Sequence, residues 1–209
     1  MRVVVLGATG ATGIEIVNRA LELGHSVTAF VRSPEKLLKR FGDRIDIVRG
    51  NVLEAGELQQ VIRGHDAVMS GFGPRVPVQN GDEDLVARFT SALTKAMSAS
   101  GVRRVVVESV AFLFKDALLP PAYFLGRLFF PRVVKDWEAA ESVLKGSPLD
   151  WTIVRPPRLT DRPRSEKYRF REGRLPSLAF SISRADVADF MVRSLENGVY
   201  VRKIVGVCN

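Results

Sequence analysis

Glycines at positions 7, 10 and 13 carry the clearest chemistry in this 209-residue chain. They follow the apolar run Val3-Val-Val-Leu6. They precede a stretch in which Ile14, Ile16, Val17, Ala20 and Leu21 recur at helical spacing, with Gly24 as a stop. A strand, a glycine-rich turn and a helix, in that order, make a cradle for the phosphates of a dinucleotide. Gly7 permits the tight turn, Gly10 lets the backbone approach a pyrophosphate with no Cβ in the way, and Gly13 lets the helix close onto the strand. The helix then presents unpaired N–H groups and the positive end of its dipole to the anion. The spacing is G-x-x-G-x-x-G rather than G-x-G-x-x-G, so the flanking strand and helix give the motif its weight.

The residues after the second strand select the cofactor. Where an NAD site places an acidic residue for the ribose 2′-hydroxyl, this chain has Val31-Arg32-Ser33, and no carboxylate comes before Glu35. Arg32 is placed to pair with a 2′-phosphate, with Ser33 and Lys36 as further contacts. Charge-assisted hydrogen bonds of that kind contribute roughly 1.5–3 kcal/mol each, so the expected cofactor is NADPH rather than NADH. Asn51 can offer its amide to an adenine edge with Val52 against the ring, and Gly71-Phe72-Gly73 allows close backbone approach to the middle of the cofactor.

The elements that must position these groups alternate. Strands are expected at Val3–Leu6, Ser26–Val31, Ile45–Val48, Asp66–Ser70, Val105–Glu108, Asp150–Val154 and Val199–Val207. Helices are expected from the Ser33-Pro34 cap through Phe41, around Leu58, Val61 and Ile62, from about Asp84 to Ser100, from Val133 to Leu144, and from the Ser183-Arg-Ala-Asp186 cap through Leu195. Residues 158–177 are basic and proline-punctuated, a loop with a short strand. This alternation predicts an α/β fold: a doubly wound parallel sheet of Rossmann type with helices on both faces, in one domain. Its ligands bind outside the carboxyl ends of the strands. The turns at Gly7–Gly13, Arg32, Asn51, Gly71–Gly73 and Ser109 then line one crevice.

Composition narrows the partners. The net charge is +8, with the basic residues spread along the chain and no helix-turn-helix, zinc-finger or RNP signature. A phosphorylated cofactor and an anionic or aromatic small-molecule acceptor fit better than nucleic acid. The single cysteine, Cys208, gives neither an internal disulfide nor a multi-cysteine metal site, and no metal is expected. No apolar run nears the roughly 20 residues of a membrane span, and the first strand starts almost at residue 1, so the expected address is cytoplasmic. Residues 111–132 are rich in Phe and Leu and broken by Pro120, Pro121 and Pro131. They suit a lid, a homodimer or protein interface, or a membrane-surface contact; with 156–180 they form the expected substrate side. His25 and His65 precede strands at the sheet's other end and carry no catalytic assignment.

With the glycines, Val31-Arg32, Gly50-Asn51-Val52, Val110-Ala-Phe-Leu113, Thr152-Ile-Val-Arg-Pro156 and Ile182–Met191 in place, the chain resembles the atypical short-chain dehydrogenases of the NAD(P)H-binding, NmrA-like group. Within it, the flavin reductase (biliverdin-IXβ reductase) branch is the most similar. The resemblance implies hydride transfer from NADPH to a flavin, a tetrapyrrole or a quinone-like acceptor. It places Thr9, Gly10, Ala11, Thr12 and Gly13 at the pyrophosphate, Arg32 and Lys36 at the 2′-phosphate, and Arg75 near the cofactor. Arg158 falls at a pocket position and would suit an anionic acceptor. The Tyr-x-x-x-Lys pair of short-chain dehydrogenases is replaced, with Val133 at the tyrosine place and Trp137 at the lysine place; Tyr123 and Arg127 lie in the wrong segment. Ser109 stands one step before the usual serine, whose place Val110 takes, and is the candidate to hydrogen-bond substrate or carboxamide. Two readings follow: an NADPH-dependent reductase, or a redox sensor that binds the dinucleotide without turnover. A sugar-nucleotide dehydrogenase is a more distant third.

Overall fold

A computed structural model describes residues 1–74, 84–114 and 131–209. The strands among the described residues are β1 (Arg2–Leu6), β2 (Ser26–Val31), β3 (Asp46–Arg49), β4 (Ala67–Ser70), β5 (Arg104–Glu108), β6 (Asp150–Arg155), β7 (Arg158–Thr160), β8 (Arg169–Glu172), β9 (Ser181–Ser183) and β10 (Lys203–Cys208). The helices among the described residues are α1 (Ala11–Glu22), α2 (Glu35–Phe41), α3 (Ala55–Ile62), α4 (Leu85–Ser100), α5 (Pro131–Lys145) and α6 (Arg184–Glu196).

Eight strands form one sheet in the order β3-β2-β1-β4-β5-β6-β10-β8. Every neighbouring pair is parallel except the last, in which β8 runs antiparallel to β10. The order reverses at β1, which pairs β2 on one side and β4 on the other. That reversal is the switch point at which open parallel sheets bind ligands. The sheet is Rossmann-like, as the alternating pattern predicts.

Val3, Val5, Met69, Val106, Val154 and Val205 face α1, α2 and α6, packing on Ile16, Val17, Leu37, Val187 and Met191. Val4, Leu6, Val68, Val105, Val107 and Ile153 face the other way, onto Leu58, Ile62, Phe89, Leu93, Met97 and Leu144. Successive residues of each strand thus enter opposite layers. For this reason the central strands read as unbroken apolar runs rather than alternating ones.

Three local expectations are corrected. Ser33 does not cap α2 with its side chain; Pro34 holds the N-cap place, and its carbonyl takes the N–H groups of Leu37 and Leu38. Asp84 precedes α4 without a side-chain cap bond. The cap comes from α5 instead: the buried Asp136 carboxylate accepts the N–H groups of Val86 (3.0 Å) and Ala87 (2.8 Å). Residues 158–177 hold two short strands, not one, and β9 follows them, pairing in parallel with β7 as a separate ribbon. At α6 the expected cap is present, the Ser183 hydroxyl accepting from the Asp186 N–H (3.0 Å). The buried Asp186 carboxylate accepts from the Ser183 hydroxyl (2.8 Å), from the backbone of Ser165 and Glu166 and from Asn209.

Asp136 ties α4 to α5, and burial holds its pKa above the usual carboxylate value. Asp136→Ala leaves two helix-terminal N–H groups without their acceptor, at a cost of about 1–3 kcal/mol. Thermal unfolding should therefore begin lower by roughly 2–4 °C for each kcal/mol lost. Asp136→Asn, which keeps one acceptor oxygen, should fall between it and the wild type.

Candidate functional site

The three glycines of the first turn are required by three different contacts. Gly7 has φ of +74°, and a Cβ there would lie 2.7 Å from the Phe72 nitrogen. A Cβ on Gly13 would run into the Gly7 carbonyl. A Cβ on Gly71 would come within 3.2 Å of the Gly13 nitrogen. Backbone from β1, β4 and α1 thus meets with no side chain between. Gly10 is different: it is exposed, and an added Cβ would approach the Gly7 oxygen at 3.1 Å and the Gly71 oxygen only at 4.0 Å. Its freedom from side-chain bulk faces outward, where a ligand would approach.

Gly10 N–H donates to Gly7 O (2.9 Å), and the Ile14 N–H to Gly10 O (2.9 Å). Between them, the N–H groups of Ala11, Thr12 and Gly13 have no acceptor among the described residues. They form the first turn of a 12-residue helix with no acidic residue in it. Such a donor set at the positive end of a helix dipole fits a phosphate group. The residues present therefore suit the pyrophosphate of a dinucleotide.

Around this turn the structure gathers most of the other candidate residues. Lys36, in α2, donates from Nζ to the carbonyl of Thr9 (2.8 Å), which fixes a cation against the glycine turn. Arg32 and Ser33 are exposed at the carboxyl end of β2. Arg32 makes no hydrogen bond or ion pair among the described residues. Gly50 N–H bonds Val31 O, which keeps Asn51 beside the end of β2. Asn51 accepts from the Leu53 N–H through Oδ1 (3.1 Å), and Val52 is buried. Gly71 follows β4 with its N–H on Leu6 O, Phe72 packs on Phe89 with ring centroids 4.4 Å apart, and Gly73 lies against Trp137. Arg75 lies outside the described residues, as do Tyr123, Arg127 and residues 115–130 of the 111–132 segment.

The other half of the crevice lies at the ends of β5 and β6. Ser109 is buried; its hydroxyl donates to Glu141 Oε1 (2.7 Å) and its N–H to Val154 O (2.7 Å). Glu141 is itself buried and held by Arg155 through two bonds, Nε to Oε1 (2.9 Å) and a terminal nitrogen to Oε2 (2.5 Å). The Arg155 guanidinium stacks over the Phe114 ring at 4.4 Å. A cavity of about 20 Å³ lies beside this chain, lined by Ser70, Phe72, Phe89, Trp137 and Glu141 among others. Val133 and Trp137, at the places of the missing tyrosine and lysine, pack with Val86 and Ala140 instead. Arg158 is exposed at the start of β7, opposite Ser181. His25 and His65 sit at the far ends of the strands, on Glu196 (3.2 Å) and Thr28 (2.9 Å) respectively.

Glu108 did not stand out in the sequence. It ends β5 on the α1 face, and the Thr12 hydroxyl donates to its Oε1 (3.3 Å), which places a carboxyl beside the first turn of α1. Burial pushes its pKa up to about 7, against the lowering influence of the Thr12 bond and the Arg184 charge. The one available signal was a charged residue closing a strand of three valines at the crevice end. The proton that the folded chain holds there stabilises it fully below the ordinary value of 4.5, and that stabilisation is lost as pH rises through about 7. Glu108→Gln keeps the acceptor without the charge. Its melting temperature should match the wild type near pH 4.5 and exceed it at pH 8 by several degrees, since a rise from 4.5 to about 7 corresponds to about 3 kcal/mol. A parallel pair of melting curves across that range would remove Glu108 from this role.

Comparison with known proteins agrees with this geometry. A chloroplastic protein of Arabidopsis thaliana is 35% identical over 170 residues, covering 78% of this chain and 60% of its own. A (4-alkanoyl-5-oxo-2,5-dihydrofuran-3-yl)methyl phosphate reductase of Streptomyces griseus is 31% identical over 154 residues, 74% of this chain and 46% of its own. The chain thus spans less than two thirds of the length of either relative. The crystal structure of a Veillonella parvula short-chain dehydrogenase/reductase, in complex with NADP, shares the fold at a TM-score of 0.81 and 19% identity, covering all of this chain and 94% of that one. Residues 7–198 match the family described as NAD(P)H-binding. With its glycine turn, its donor set at α1 and that match, the chain belongs to the NAD(P)H-binding family, on a Rossmann-like fold.

Proposed function

We propose that the protein is an NADPH-dependent oxidoreductase that passes hydride to a flavin-like, tetrapyrrole or quinone-like acceptor. It would work at a cytoplasmic address, with the whole chain acting as one NAD(P)-binding unit whose 111–132 and 156–180 segments shape the acceptor side. The observation that carries this reading is the pair of cations at the end of β2. Arg32 is unpaired and exposed among the described residues, Lys36 is fixed on the Thr9 carbonyl, and no carboxylate stands between β2 and the helix. That arrangement favours a 2′-phosphate over a bare 2′-hydroxyl.

The bound dihydronicotinamide would supply the hydride. The chain's share is placement. Thr9 to Gly13 hold the pyrophosphate, Arg32, Ser33 and Lys36 the 2′-phosphate, and Asn51 with Val52 the adenine. Gly71 to Gly73, with Arg75, approach the middle of the cofactor. Ser109 donates its proton to Glu141, so its oxygen faces the cavity as an acceptor and is suited to a carboxamide N–H rather than to giving up a proton. Arg158 serves an anionic group of the acceptor. Reduction of this kind depends on orientation more than on a dedicated acid, because water can supply the proton.

A second reading is favoured by one observation. Val133 and Trp137 fill the tyrosine and lysine places with apolar contacts, which suits a sensor that binds NADPH without turnover. A 340 nm assay with NADPH against FMN, riboflavin, quinones and biliverdin separates the two. The reductase oxidises NADPH with at least one acceptor class; tight NADPH binding with no oxidation above background identifies the sensor.

The cofactor assignment has its own measurement. Arg32→Glu should weaken NADPH binding about 10- to 100-fold and leave NADH binding close to its wild-type value. Lys36→Ala should weaken NADPH binding by a smaller factor. Equal NADPH affinity in wild type and Arg32→Glu would rule out Arg32 as the 2′-phosphate partner.

A further inference from the structure

We propose that the face formed by Phe112, Leu178 and Phe180, with Arg171 and Arg174 beside it, docks onto an anionic lipid bilayer surface. Leu178 is 77% exposed, Phe180 70% and Phe112 43%. These are not scattered side chains. Ala111, Phe114, Leu175, Ala179 and Cys208 form one buried cluster. Phe112 therefore emerges from one strand of chain, and Leu178 with Phe180 from another, where the two pack together. Leu178 also adopts φ of +57°, a left-handed conformation that leucine rarely takes. The turn projects an aliphatic side chain into solvent where glycine or asparagine would be the easier residue.

The charges lie on the same face. In the β8–β10 ladder, Arg171 is opposite Gly206 and Arg169 opposite Cys208. Residues opposite each other in a ladder share a face, so Arg169 and Arg171 project where the Arg174–Leu175 backbone crosses over Gly206. Arg169 donates to the carbonyl of Ser177 (2.8 Å), the residue before Leu178. Arg171 and Arg174 make no hydrogen bond or ion pair among the described residues. Residues 158–184 carry eight basic and three acidic side chains, so five of the chain's eight net positive charges fall in this stretch.

Exposed apolar tips beside unpaired arginines fit the boundary between headgroups and acyl chains: the tips enter the apolar edge, and the guanidinium groups stay at the phosphates. A nucleic acid would use the arginines but leave Leu178 without a partner. No described helix is long and apolar enough to cross a membrane, so the contact is with the surface. The contact is measured without turnover.

The test is co-sedimentation of the full chain with phosphatidylcholine vesicles, with and without phosphatidylglycerol, at low and high salt. Wild type should bind the anionic vesicles, weakly or not at all the neutral ones, and release with salt. Each arginine near an anionic surface contributes about fivefold, so Arg171→Glu/Arg174→Glu should weaken binding by at least about 25-fold. Leu178→Ser/Phe180→Ser should weaken it by about 10-fold or more. Unchanged NADPH binding and melting temperature in both double variants establish that they fold. No binding of wild type to anionic vesicles overturns the proposal, as does binding that Leu178→Ser/Phe180→Ser leaves intact. Arginine-dependent binding to a duplex oligonucleotide without vesicle binding would assign the face to nucleic acid. A concentration-dependent dimer abolished by Leu178→Ser/Phe180→Ser, again without vesicle binding, would assign it to a second copy of the chain.

Discussion

Everything at the crevice depends on one backbone contact, the approach of Gly13 to the Gly7 carbonyl. A methyl group at position 13 could not fit, and a side chain at position 71 would press on the same nitrogen. Because neither is present, α1 starts directly over the ends of β1 and β4, at the reversal of strand order. Its three unpaired N–H groups then point to the place where the other strand ends converge. Lys36 adds to the same construction by bonding Thr9 O from α2. A cation that reached solvent freely would lose side-chain entropy on binding a phosphate; one already fixed on the turn has lost much of it beforehand.

The acceptor end is built by different means. There the central feature is a buried ion pair, Glu141 with Arg155, extended to Ser109 on one side and Phe114 on the other. A buried pair of this kind contributes little net stability against a well-packed apolar alternative, yet removal of either partner is costly. Its effect here is geometric: it fixes the end of β5, the end of β6 and the start of the segment after Phe114 relative to α5. The tyrosine and lysine places on α5 lie two turns and one turn before Glu141 and are apolar, Val133 and Trp137. The buried polar contacts of this part of the helix are those of Glu141 with Ser109 and Arg155. Glu108, on the opposite face of β5, is the carboxyl whose environment brings it near neutrality, and it faces the phosphate side of the crevice.

The sequence made the central sheet legible because both its faces are buried. Runs such as Val3–Leu6 and Val105–Val107 have no other economical explanation once glycines and helical periods flank them. What it hid were features decided by pairing across long separations. β8 reads Arg-Phe-Arg-Glu and is exposed along its length; only the ladder with β10 makes it a strand. The α4 cap comes from Asp136, about 50 positions away, so the polar residue just before the helix gave a false signal. Glu108 meets Thr12 across 96 positions. A charged residue at a strand end looks like ordinary solvent exposure until the helix beside it is known. Ser33 misled for a simpler reason, since the proline after it took the N-cap place and left the hydroxyl with no helix N–H to accept.

The charge balance also reads differently in three dimensions. A net charge of +8 suggests attraction of a phosphorylated cofactor, and along the sequence the basic residues look dispersed. Yet the cofactor half needs few of them. On the proposed reading two cations, Arg32 and Lys36, serve the 2′-phosphate, and the backbone N–H groups and dipole at the start of α1 would serve the pyrophosphate. Most of the excess falls between residues 158 and 184, after β6. Part of it is neutralised internally, as where Arg164 binds Glu22 (2.6 Å) and Arg184 binds Asp161 (2.5 Å). The arginines left over share a face with the most exposed apolar side chains among the described residues. Screening in salt confines their influence to about 8–10 Å, too short a range for them to steer a cofactor to the far side of the sheet. On the β8–β10 edge their charge acts locally, on whatever meets that surface.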